Sequence, residues 1–243
     1  ERGVVEISKA LVENNFISIV ISSGGHMVSQ ITRNGGIHYE LDVATKNPLK
    51  WPKVRNELKR ILERENVDLI HFCSRAPAWI GVPLGAILDI PIITSVHMRF
   101  RKSNLFKKYY NSILTKGNYI IAISKHIEDS INTYFPKVSG KIKVIHRGVD
   151  LDLFDPNKIN PARIIAQSKH LNLRDNIPVI IMAARPAMWK GYQILIKALS
   201  KVKHDFQCVF IGAGDGGKKF QKLLINKIIQ SKLETKIRLI SST

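Results

Sequence analysis

Short apolar runs and amphipathic stretches take turns along almost the whole chain, and no other feature limits its fold so tightly. Strands are expected at 17–22, 37–41, 67–72, 90–96, 119–123 and 142–145, with amphipathic helices at 52–64, 104–116 and 125–134. Ser124, directly after a strand, suits the N-cap of the last of these helices. Such alternation is the pattern of a parallel sheet covered by helices on both faces. A second series follows, with strands at 179–184, 206–211 and 237–240 and helices at 192–202 and 218–231. Between the two series, 150–176 holds Pro156, Pro161 and a helix candidate at 161–170. Glycine permits a turn at Gly148-Val149-Asp150, so the domains are expected at 1–149 and 150–243.

Both domains read as incomplete. The first opens with a helix at 2–14, its apolar positions Val4, Ile7 and Leu11 on the helical period, where a doubly wound domain opens with a strand. The second offers three strands and two helices, half of an open α/β domain. An unfinished sheet leaves backbone groups unpaired, so a missing first strand and a complementary polypeptide or further sequence are expected.

Composition removes several classes. The 243 residues are 44% apolar, enough for real cores and too many for disorder. The two cysteines, Cys73 and Cys208, lie far apart in or beside apolar strands and read as small buried hydrophobes. No apolar run approaches the roughly 18 residues of a membrane span, and no signal-peptide pattern opens the chain. A cytoplasmic protein is expected. The 38 Lys and Arg against 19 Asp and Glu give a net charge of +19. Between positions 99 and 147 stand eleven cations and only Glu128 and Asp129. That surface suits phosphates or an anionic membrane face, unless it is simply solvated.

Arg185 and Lys190 are the leading site candidates. Arg185 should emerge at the carboxyl edge of strand 179–184, expected to be interior, and the segment through Trp189 to Gly191 leads into a helix whose open N–H groups favour an anion. Arginine forks onto two phosphate oxygens and lysine adds a mobile charge, a pair suited to a diphosphate. The alternative is two solvated surface cations. Trp189 would shield the site or pack on the sheet. The loop Gly212-Ala213-Gly214-Asp215-Gly216-Gly217 matches GxGxxG, but without the strand, helix and acidic residue of a dinucleotide site, so it reads as a tight turn near a nucleotide. His97, at another strand's carboxyl edge, suits a hydrogen bond to a sugar hydroxyl or a proton shuttle. Arg99 and Arg101 beside it suit an anionic acceptor. Arg75 and Trp79, after His71, suit an acceptor by charge and by stacking, and Trp79 suits packing as well. Gly24-Gly25-His26 permits a close turn. His38, His126, His170 and His204 show no metal-ligand spacing, and neither HExxH nor GxSxG occurs. Carboxylates are scarce at the strand ends, against a two-carboxylate hydrolase.

The set Glu1-Arg2-Gly3, Ser23-Gly24-Gly25, Val67-Asp68-Leu69-Ile70-His71, Thr94-Ser95-Val96-His97, Ile121-Ala122-Ile123-Ser124, Val144-Ile145-His146-Arg147-Gly148-Val149-Asp150, Phe154, Pro156 and Arg185 through Trp189-Lys190-Gly191 resembles the GT-B glycosyltransferases of family four. The Ser74-Arg75-Ala76-Pro77-Ala78-Trp79 and Trp189-Lys190-Gly191 forms are similar to a bacterial branch associated with cell-surface polysaccharide and lipopolysaccharide. The resemblance implies two Rossmann-like doubly wound domains, the first on the acceptor side, the second binding a nucleotide sugar. It implies retaining transfer from a nucleotide-diphosphate sugar to a saccharide or lipid-linked acceptor, with no cofactor and no metal. Arg185 and Lys190 would clamp the diphosphate and stabilise the leaving charge, His97 would lie by the donor sugar, and Gly191, Gly212 and Gly214 would approach the nucleotide. Arg75, Trp79 and Arg99 would face the acceptor. Placement on the cytoplasmic face of the inner membrane follows as an expectation.

The family's first strand with its Gly-Gly donor loop would precede Glu1. Its paired glutamates and closing helix would follow Thr243. The isolated chain is therefore expected to be impaired or inactive, since lost positioning alone removes about 7 to 11 kcal/mol of catalytic advantage. Two other readings compete: an inactive remnant, and a basic non-enzymatic binding protein. A dehydrogenase would need its glycine pattern after a first strand, and a nucleic-acid module a recognition helix or aromatic strand, and the sequence supplies neither.

Overall fold

Each of the nine expected strands forms, and every strand pairing is parallel. The computed structural model describes residues 2–45, 47–100 and 104–241. The chain divides into two compact units, Glu1–Val149 and Asp150–Thr243.

In unit 1, α1 (Arg2–Glu13), β1 (Ile19–Ser22), α2 (Val28–Arg33), β2 (Ile37–Glu40), α3 (Trp51–Arg64), β3 (Ile70–Phe72), α4 (Arg75–Ile87), β4 (Ile92–Val96), α5 (Leu105–Ser112), β5 (Tyr119–Ala122), α6 (Lys125–Tyr134) and β6 (Ile142–Val144) follow one another. The helices form because their apolar residues recur on one face: Val54, Leu58, Ile61 and Leu62 are buried in α3, and Ile127 and Ile131 in α6. Ser124 caps α6 as expected, accepting from the Ile127 amide at 3.3 Å. Ile80, Ile120 and Ile131 are wholly enclosed in the core of this unit. Each such burial is worth about 1.5–3 kcal/mol.

The expected single sheet is in fact two, β1-β2 and β3-β4-β5-β6. Ile21 of the smaller sheet and Leu41, just after β2, still pack on the core of the larger. No described strand pairs with the second edge of β1 or of β3, so backbone hydrogen bonding stops there. The helix expected at 104–116 also departs from the sequence reading. It ends as α5 at Ser112, and a 3-10 turn, Ile113–Thr115, continues. That tighter turn buries the consecutive residues Ile113 and Leu114, and the Leu114 carbonyl accepts from Thr94 Oγ1 at 2.6 Å.

Unit 2 contains α7 (Pro161–His170), β7 (Val179–Ala183), α8 (Tyr192–Leu199), β8 (Gln207–Ile211), α9 (Lys218–Gln230) and β9 (Ile237–Ile240), with strand order β7-β8-β9. β8 is central and nearly all buried. β7 was expected to be interior, yet among the described residues it pairs only with β8, and Val179 and Ile181 are exposed. Tyr192, Ile196 and Leu199 cover the sheet from α8, and Leu224 and Ile228 from α9.

Candidate functional site

The carboxyl edge of the unit 2 sheet gathers the loops after its strands. Past Ala183 the chain runs through Arg185 and Pro186 into a 3-10 turn, Met188–Lys190, and Gly191 adopts φ 90° to open α8. A Cβ at Gly191 would meet nothing within 4 Å, so the left-handed backbone, rather than space, calls for glycine there. Tyr192 anchors the turn: its ring is buried against Phe210 and Phe220, and its hydroxyl donates to the Ala184 carbonyl at 2.6 Å. Burial, with the nearby Asp215 charge, pushes the Tyr192 phenol up and keeps it a donor.

Arg185 is exposed and Lys190 half-buried. The ion pairs of this unit join Lys158 to Asp152 and Asp205 to Arg174 and Lys236, so neither Arg185 nor Lys190 is neutralised by a carboxylate among the described residues. Trp189 does not pack on the sheet. It is 72% exposed, with the Lys190 ammonium 4.3 Å from its ring centroid.

The glycine loop after β8 is built for close approach. Gly212 has φ 85°, and a Cβ there would stand 2.7 Å from the Ala184 carbonyl oxygen. A Cβ at Gly214 would stand 2.7 Å from the Ser241 amide, and one at Gly216 would stand 3.0 Å from Pro186. Gly212 and Gly214 thus let three strand ends close on one another, and the turn leads into α9. The first amides of α8 and α9 have no partner within their helices, which favours an anion at that edge.

The carboxyl edge of the four-stranded sheet of unit 1 carries a different group. His71 and Cys73 alternate at the end of β3, Ser95 and His97 at the end of β4, and the β3–β4 register puts all four on one face. His71 Nε2 lies 2.6 Å from Ser95 Oγ and 3.8 Å from Cys73 Sγ. Burial holds the His71 imidazole below its usual range and the Cys73 thiol above its own. His97 Nδ1 lies 3.0 Å from Arg147 Nη2, and burial, Arg147 and His71 together lower its affinity for a proton. These groups are neutral hydrogen-bonding partners with a cation beside them, a surface matched to hydroxyls more than to proton abstraction.

Other sequence candidates fare unequally. Gly24 and Gly25 take φ 84° and 125° after β1, as a glycine turn requires. The 74–79 segment is the N-cap, Ser74, and the opening residues of α4. Arg75 Nε is buried without a hydrogen-bond partner among the described residues. Trp79 packs within its own unit: its ring meets Tyr109 and Tyr110, and its Nε1 donates to the Tyr110 carbonyl at 3.1 Å. Pro83 lacks the amide that would bond the Trp79 carbonyl, and Arg55 Nη2 donates to that carbonyl instead, at 3.3 Å. Arg99 is exposed. Arg101 and Glu1 lie outside the described residues. No cluster of three metal-ligating side chains occurs among the described residues. Sequence reading passed over Ser95, Cys73 and Arg147. Polar residues at alternate positions near two neighbouring strand ends were the signal for the first two, and Arg147 stood only within the 144–150 run that carries the resemblance.

A family model described as Glycosyltransferase Family 4 matches residues 1–153. The spore coat protein SA of Bacillus subtilis is 27% identical over 157 residues, 63% of this chain and 41% of that protein. A glycosyltransferase of Methanocaldococcus jannaschii, itself uncharacterized, is 25% identical over 230 residues, 86% of this chain and 57% of that one. Among solved structures, a glycosyltransferase from Rickettsia africae is 33% identical with a TM-score of 0.87, covering 100% of this chain and 64% of that one. The Anabaena protein HepE, solved in complex with UDP and glucose, is 18% identical with a TM-score of 0.75, covering 99% and 65%. The fold is the α/β GT-B type with Rossmann-like units and parallel sheets. The chain spans about half the length of the curated relatives it matches.

Proposed function

The chain belongs to glycosyltransferase family 4, and from that premise we propose that it forms part of an enzyme that transfers a sugar, with retention, from a nucleotide-diphosphate donor to a saccharide or lipid-linked acceptor. The observation that carries this reading is the pair Arg185 and Lys190, set between β7 and the N-terminus of α8 and without an ion pair to a carboxylate among the described residues. A diphosphate leaving group gains negative charge as the glycosidic bond breaks, and fixed cations with helix amides stabilise that charge without reorganising. Unit 2 would hold the nucleotide, with Gly191, Gly212 and Gly214 keeping backbone close to it. Unit 1 would face the acceptor, and His97 would donate a hydrogen bond to a hydroxyl of the transferred sugar. The HepE complex with UDP and glucose supports this class of donor. The 74–79 segment supports an acceptor of the cell-surface polysaccharide or lipopolysaccharide kind.

Calorimetric titration of the chain with UDP-, GDP- and ADP-sugars tests the reading. Binding of one nucleotide, weakened in both Arg185→Ala and Lys190→Ala, supports it, and equal binding in both variants removes the clamp.

A peripheral anionic membrane is the second partner we propose, and α5 favours it. At about 100° per residue Leu105, Phe106, Tyr109 and Tyr110 fall on one half of α5 and Lys107 and Lys108 on the other. Leu105 and Phe106 are 83% and 84% exposed, so the apolar tip is uncovered. An amphipathic helix with lysines on its polar face suits the plane of an anionic bilayer. Flotation with phosphatidylglycerol vesicles should recover the native chain and recover less of Leu105→Ser/Phe106→Ser. Equal recovery of both proteins, or recovery with neutral phosphatidylcholine vesicles alone, contradicts the membrane reading.

A further inference from the structure

Arg147 follows β6 and His97 follows β4, 50 positions earlier, yet Nη2 of one meets Nδ1 of the other at 3.0 Å. That contact has only one chemical sense. A guanidinium carries five N–H donors, has no acceptor and stays charged in proteins. Arg147 therefore donates, and His97 Nδ1 accepts through its lone pair. A neutral imidazole with a bare Nδ1 carries its proton on Nε2. An imidazolium would set N–H against N–H and put two positive charges in contact.

We infer that Arg147 is a positioning residue that fixes His97 as the neutral tautomer bearing its proton on Nε2. The ring then offers a hydrogen-bond donor at its second nitrogen and cannot take up a proton there. Its partner must supply an acceptor, such as a hydroxyl or phosphate oxygen. Of the two roles open to His97 from sequence, hydrogen-bond donation and proton shuttling, this geometry keeps the first. The surroundings agree: burial, Arg147 and His71 all act against a second proton on the ring. His71 meets Ser95 Oγ at 2.6 Å, so the two imidazoles are held by separate contacts.

The inference rests on the proposed transferase site for its use, though not for its test. Long-range proton–nitrogen spectra of the full chain, with only histidines labelled by nitrogen-15, read the tautomer of each ring directly. In the native chain His97 should show a protonated Nε2 and a bare Nδ1 above its titration. Arg147→Met should release a mixture of tautomers and move the His97 titration midpoint upward. Arg147→Lys, whose ammonium also only donates, should restore part of the bias. His71 should keep its tautomer in all three proteins, which reports intact strand ends. A proton on Nδ1 in the native chain overturns the proposal. So does a His97 tautomer ratio and midpoint unchanged in Arg147→Met. No nucleotide sugar is present in this measurement, so a chain that binds no donor would sink the transferase reading and leave the tautomer result standing.

Discussion

The carboxyl edges of the four-stranded sheet of unit 1 and of the unit 2 sheet solve opposite problems. In unit 1 the polar side chains are already engaged, His71 with Ser95 and His97 with Arg147, and burial keeps both imidazoles neutral. In unit 2 Arg185 and Lys190 have no carboxylate partner among the described residues, and the order of the site lies in backbone, through Gly191, Gly212 and the Tyr192 anchor. One edge is a prearranged set of hydrogen-bonding groups, and the other a shaped cationic gap that an anion would complete. The difference teaches that fixed side chains suit an uncharged, hydroxyl-rich ligand, whereas fixed backbone with unneutralised cations suits phosphates.

The sharpest way to break the contrast is to displace the backbone of unit 2. Gly212→Val adds a side chain at φ 85°, where the first carbon alone would sit 2.7 Å from the Ala184 oxygen. Urea unfolding should show a loss of about 3 kcal/mol, combining overpacking with left-handed strain. Nucleotide binding should fall with it. A variant as stable as the native chain would mean that the glycine loop is not held against β7.

Removing one cation leaves the backbone intact and asks whether charge matters. Arg185→Ala or Lys190→Ala should each cost about 2 kcal/mol of nucleotide binding, roughly 30-fold in Kd, as expected for a charge-assisted hydrogen bond. Both losses should shrink as salt rises, because exposed charges are screened. Unfolding of either variant should match the native chain.

The smallest effect belongs to unit 1. The folded-state pKa of His71 lies below its usual 6.5 because of burial. Between the two values the unfolded chain binds more protons, so stability is present above about pH 6.5 and declines as pH falls towards the folded value. Unfolding midpoints at about pH 7.5 and about pH 5 should differ more for the native chain than for His71→Asn. Equal differences would mean that His71 is not held neutral.

Much of this architecture was legible because period and length carry it. Nine apolar runs became nine strands, and Ser124 became a cap, since both depend on neighbours within a few residues. Long-range outcomes were hidden. Nothing within 179–184 says that β7 would pair only with β8 among the described residues, and nothing within 17–41 says that β1 and β2 would form a sheet of their own there. Helix α4 escaped notice because Pro77 and Pro83 argue against a helix locally, and Arg55, more than twenty residues earlier, repairs the bond that Pro83 removes. At the sites, Arg185 and Lys190 were visible as charges at a strand-to-helix junction. The contact of Arg147 with His97 was not, because the two lie 50 residues apart.

Backbone amide shifts on adding a nucleoside diphosphate test the central claim most directly, since they locate the ligand on the chain. The account predicts that the largest shifts fall at 184–192 and 212–218, and that they vanish in Arg185→Ala/Lys190→Ala. Shifts confined to the outer faces of α8 and α9 or to unit 1, or shifts that survive the double substitution, would contradict it.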